Sequence, residues 1–182
     1  MKSFMLNFFV LFVILLFSTI AHAEVEKKEV PCGTEKCTYY WPKLSPIKGW
    51  NQEKESSFDY RVKVLIPEGA KIKSAKALIY TNARLKSDFP EAKTLEDFIS
   101  SDQNAFPEAT ITEDDPLTTV DGQKMRIFSL VPQKKKGNWE KIGYGEEGDY
   151  YLIFVVSARS ASYLEKAQEP FKQLIETYKS NP

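Results

Sequence analysis

Histidine is nearly missing from this chain: of 182 residues one is histidine, His22. It lies within an N-terminal stretch that reads as an export segment, so the mature chain holds no Ser-His-Asp or Cys-His machinery and no histidine ligand for a metal. Charge of one sign is lacking as well. Lys and Arg total 25 and Asp and Glu total 25, which removes the basic face that binding to nucleic acid requires. The phosphate-loop pattern and the G-x-S-x-G nucleophile elbow are absent. No cofactor, metal or nucleotide is expected. No repeat of roughly 20 to 50 residues recurs and no low-complexity linker divides the chain. A hydrophobic fraction of 42% suits one folded domain.

The first residues carry the marks of a secretory signal. Lys2 precedes an unbroken apolar run from Phe8 to Phe17, and Ala21-His22-Ala23 supplies the small residues of a cleavage site before Glu24. The apolar run is shorter than the roughly 20 residues of a spanning helix. The expected division is a signal peptide over 1–23, an extended arm over 24–48 and a domain over 49–182. No stable membrane insertion should remain after cleavage, and the expected location is periplasmic or secreted. In such an oxidising compartment Cys32 and Cys37, the two cysteines of the chain, are expected to form a disulfide within the arm. Their spacing is not C-x-x-C, and no other cysteine exists to complete a zinc site. The arm also carries Pro31, Pro42 and Pro46, and its Tyr39, Tyr40 and Trp41, with Trp50 just beyond, should pack onto the domain.

Within the domain, Phe58, Tyr60, Val62, Val64 and Ile66 alternate with polar residues, which predicts a strand ending at Pro67-Glu68-Gly69. Lys76 to Arg84 reads as a second strand. Thr94 caps a helix whose Leu95, Phe98, Ile99 and Phe106 recur at helical spacing up to Pro107. Asp121-Gly122 joins two strands of a hairpin, and Glu146-Glu147-Gly148-Asp149 joins Trp139–Gly145 to Tyr150–Ser157 in another. The apolar run from Tyr150 to Val156 predicts a central strand buried on both faces. A second helix runs from Ser162 to Lys179, where Pro170 should kink it or open a new helix. The pattern reads as an α+β single domain, an antiparallel sheet of about six strands flanked by helices.

This order resembles small exported bacterial proteins of the PsbP-like type. The residues that carry the likeness are Gly49-Trp50, Ile66-Pro67-Glu68-Gly69, Ala77-Leu78-Ile79-Tyr80, Leu95-Glu96-Asp97-Phe98-Ile99, Val156-Ser157-Ala158-Arg159 and the apolar closing helix. It extends roughly from Gly49 to Lys179. The resemblance implies an α/β/α sandwich and non-catalytic binding, and no family functional residue carries over by position.

Two functional expectations follow. The first is a non-enzymatic binding protein of the cell envelope that takes an envelope protein or a small ligand, through Tyr80, Asn82 and Arg84 or through Trp139 and Tyr144. The second is a carboxylate-dependent hydrolase drawing on Glu113-Asp114-Asp115, Asp121 and the Glu146–Asp149 cluster. It requires Asp121 and Glu146 or Glu147 to face one cleft. All these acids are expected in solvated turns or loops. Lys134-Lys135-Lys136 likewise reads as a solvated turn and not as a nucleic-acid site.

Overall fold

A computed structural model describes residues 25–133 and 137–180. The expected signal peptide and the Lys134–Lys136 turn lie outside the described residues. Among the described residues no helix is long and apolar enough to cross a membrane.

Residues 25–42 form a hairpin of β1 (Val25–Cys32) and β2 (Glu35–Pro42). Its turn places Gly33 at a φ of 67°, a left-handed conformation that costs glycine little. Cys32 and Cys37 form a disulfide across it. Trp41 is buried at the end of β2, and its indole nitrogen donates to the Arg61 carbonyl at 3.3 Å. The expected packing of this aromatic is therefore direct.

The chain continues through β3 (Trp50–Gln52) into α1 (Lys54–Asp59), where a strand from Phe58 was expected. Local caps outweigh the alternating pattern here. The Glu53 carboxylate accepts from the Ser56 amide at 2.6 Å, and the Ser57 hydroxyl donates to the Glu53 carbonyl. At the other end the Val62 amide bonds the Ser57 carbonyl and the Arg61 amide bonds the Phe58 carbonyl, a Schellman closure. Only β4 (Lys63–Pro67) remains of the expected strand.

Then come β5 (Ala77–Leu85), α2 (Leu95–Gln103), β6 (Ala109–Thr118), β7 (Lys124–Pro132), β8 (Trp139–Glu147), β9 (Tyr150–Ala158) and α3 (Ala161–Glu176). Thr94 and Asp97 make the reciprocal capping box of α2. Helix α3 passes through Pro170 as one helix. Strand β6 begins well before the expected hairpin, so Glu113, Asp114 and Asp115 stand on an edge strand and not in a turn.

Every strand pairing is antiparallel, in the order β1-β2-β5-β9-β8-β7-β6, with β4 also pairing β5 and β3 pairing β4. Strand β9 is central and buried on both faces, as its apolar run implies. The expected fold class needs correction. Among the described residues the sheet has nine strands and not about six, and strand takes 46% against 22% for helix, so this is not a helix-flanked α/β/α sandwich. The three extra strands are those of the β1–β2 hairpin and the short β3, and the edge strand β6 starts earlier than the expected strand before Asp121 because its acids hide the alternation that marks a strand.

The two faces differ. On one, Leu164, Ala167, Phe171, Leu174 and Ile175 of α3 close over Ile79, Ile127, Leu152, Phe154 and Val156. Gly143 permits that contact, because a Cβ there would lie 3.0 Å from Ile175 Cδ1 and 3.1 Å from Ile127 Cδ1. On the other, Phe98 and Ile99 of α2 cover Ile142, Tyr144, Tyr151 and Ile153.

Candidate functional site

Cross-strand register places the site. On the α2 face, Tyr144 of β8 stands opposite Ile153 of β9, and the next row is Ile142, Val155 and Tyr80. One row further runs Leu130, Glu140, Ser157 and Leu78. Helix α2 covers the first rows and ends at Gln103, with its Asp102 accepting from the Tyr144 hydroxyl at 2.6 Å. The row of Glu140 and Ser157 is left uncovered. It floors a cleft of about 320 Å³.

The walls of this cleft are largely apolar. Val62 and Val64 come from β4 and the residues before it, Ile72 from the loop that follows β4, and Leu78 and Tyr80 from β5. Tyr60 stands at the rim, 65% exposed although aromatic. Glu140 is the charged group inside. Its carboxylate accepts from the Ser157 hydroxyl at 2.6 Å and has no ion pair among the described residues. Burial raises its pKa above the ordinary glutamate value, a shift the Ser157 hydrogen bond only partly offsets. Burial also raises the pKa of the Tyr80 hydroxyl, with the Glu140 and Asp102 charges adding to it. A neighbouring cleft beside Phe106 and Pro132 shares Asn138 and Glu140, so Glu140 stands where the two meet.

A third cleft, of about 240 Å³, lies across the Tyr60–Val62 turn. It opens where β5 changes partners, from β4 at Thr81 to β2 at Ala83. Asn82, Arg84 and Arg61 line it together with Tyr39 and Asp88. Arg61 has a φ of 63°, the glycine-like position of the Schellman closure, and its guanidinium lies 5.8 Å from the Tyr39 ring centre. The Asn82 side-chain oxygen is buried without a hydrogen-bond partner among the described residues.

Among the residues singled out from sequence, Tyr80, Asn82 and Arg84 share one face of β5, Tyr80 lining the apolar cleft and the other two the third cleft. Tyr144 is fully buried beneath α2. Trp139 belongs to the opposite face, packed against the α3 core. The acidic clusters do not gather. Asp121 accepts from Thr119 at 2.5 Å and Ser180 at 2.6 Å, Glu146 pairs with Lys86 at 2.9 Å, and Glu147 accepts from the Tyr178 hydroxyl. None of these acids lines the three clefts above. Asp114 is partly buried, but Lys141 and Ser129 hold its pKa below the ordinary value against that burial. Among the described residues no group of three or more His, Cys, Asp and Glu side chains could hold a metal ion.

Sequence reasoning missed Glu140, Ser157 and Tyr60. A signal for Glu140 existed: it shares the alternation phase of Ile142 and Tyr144, both buried, and a carboxylate in an inward phase is unusual. The glycines Gly143, Gly145 and Gly148 match the spacing of a dinucleotide fingerprint, contrary to the expectation of no nucleotide pattern. They run along β8 into a hairpin, not from a strand into a helix N-terminus, so the phosphate-binding geometry is missing. No family model matches the chain, and no curated protein matches it.

Proposed function

We propose that the protein is an exported, non-catalytic binding protein of the cell envelope whose ligand site is the uncovered part of the α2 face. The observation that carries this reading is the cleft of about 320 Å³, apolar in its walls with few polar groups converging on it, which is the usual form of a small-molecule site. The disulfide suits an oxidising compartment, and the PsbP-like resemblance also implies binding without catalysis. The size of the cleft favours a small ligand over a protein partner. The binding reading is favoured over the hydrolase because Asp121, Glu146 and Glu147 are engaged separately and do not face one cleft among those described above.

The test is a thermal-shift screen of the oxidised protein against low-molecular-mass fractions of a bacterial envelope extract. A fraction should raise Tm in the parent and leave Leu78→Asp unchanged, since the carboxylate would spoil the apolar wall. No active fraction, or an equal gain in both proteins, would count against the reading.

A further inference from the structure

Several partly buried carboxylates of this sheet are met by lysines. Glu26 has Lys63 at 2.8 Å, Asp114 has Lys141 at 2.5 Å and Glu146 has Lys86 at 2.9 Å. Glu140 has a serine hydroxyl in that place. The neighbouring Lys141 offers no relief, because strand alternation sends it to the opposite face, where it pairs with Asp114. A carboxylate withdrawn from water without a cation is costly to keep.

Around it the cleft presents two phenol rings, Tyr60 at the rim and Tyr80 in the wall. Aromatic faces and one carboxylate in an apolar cleft are the groups that recognise an ammonium ion bearing an apolar body: the carboxylate meets the charge, the rings attract it through their quadrupoles and the walls take the hydrocarbon. We propose that the cleft between β4, β5 and β8 binds a small organic amine in its protonated form, with Glu140 facing the cation. The proposal rests on the binding reading above and adds the chemical class of ligand.

The test uses three probes that share one body, 2-phenylethylamine, 2-phenylethanol and phenylacetate, titrated at millimolar concentration into the purified oxidised protein and followed by amide NMR. The amine should shift Val62, Ile72, Leu78 and Ser157, bind at least tenfold tighter than the alcohol and the acid, and lose that advantage in Glu140→Gln. Glu140→Asp serves as a second variant, which should retain selectivity for the amine at reduced affinity. If the alcohol or the acid binds these residues as tightly as the amine, the cationic preference is overturned while the binding reading survives. If no probe moves these residues, or if Glu140→Gln binds the amine unchanged, the proposal is overturned. Failure of the binding reading shows separately, in the envelope screen.

Discussion

The two faces of the sheet carry helices of different length, and the difference decides how much of each face is covered. Helix α3 has 16 residues and α2 has 9, spans of about 24 Å and about 14 Å at 1.5 Å per residue. The longer helix packs its face into a core that includes Phe171, Leu174 and Ile175, with clefts along its flanks beside Leu117 and Lys141 and beside Trp50 and Ala77. The shorter one stops at Gln103 and leaves the row of Leu78, Ser157 and Glu140 in a cleft. Strands of similar character floor both faces. Helix coverage, and not strand sequence alone, sets where each face opens: along the flanks of α3 and beyond the end of α2.

The contrast can be broken most forcefully in the α3 face. Phe171 is 1% exposed, so Phe171→Ala should cost about 3–5 kcal/mol in urea denaturation. A cost under about 1 kcal/mol would mean that α3 does not anchor the core of its face. Removing the disulfide by Cys32→Ala with Cys37→Ala should cost about 2 kcal/mol, because the closed loop is short. A much larger loss would make the β1–β2 hairpin a part of the core rather than an addition to it.

The α2 face should respond weakly. Arg61→Gly relieves a left-handed conformation worth roughly 1–2 kcal/mol and returns roughly 0.5–1 kcal/mol of freedom to the unfolded chain. A net gain of about 0.5 kcal/mol is expected, and a loss would show that the contact of Arg61 with Tyr39 outweighs the backbone strain. Tyr60→Ala should change stability by less than about 0.5 kcal/mol, since Tyr60 is 65% exposed. A loss near that of Phe171→Ala would erase the distinction between the faces.

Much of this division is legible in the residues. The apolar run of β9, the Thr94 cap, the Asp121-Gly122 hairpin and the apolar stripe of α3 all announce themselves because local pattern and tertiary role agree. The region before β4 does not, since the alternation from Phe58 competes with caps supplied by Glu53 and Ser57. The early part of strand β6 escapes for the opposite reason: its inward Ala109 and Ile111 are followed by Glu113-Asp114-Asp115 on an edge strand, so the apolar alternation is too short to read. The cleft is legible only in part. Tyr80 could be placed on a strand from its neighbours, but the meeting of Glu140 with Ser157 and Leu78 depends on the register of three strands, which no local pattern encodes.

Among the described residues no cation meets Glu140, which is held in the α2 face at a cost to the fold. Because burial raises its pKa in the folded state above the ordinary glutamate value of 4.5, the folded state favours the protonated form. The protein therefore loses stability as the pH rises from the ordinary value through the raised one. Glu140→Gln removes the charge and keeps an acceptor for Ser157. The most direct measurement is the urea stability of the parent and of Glu140→Gln across pH 4 to 8, without added ligand. Similar stabilities are expected near pH 4 and a more stable Glu140→Gln at pH 7 to 8. A variant equal to or weaker than the parent at pH 7 to 8 would contradict that expectation, because Glu140 would then have its cation already.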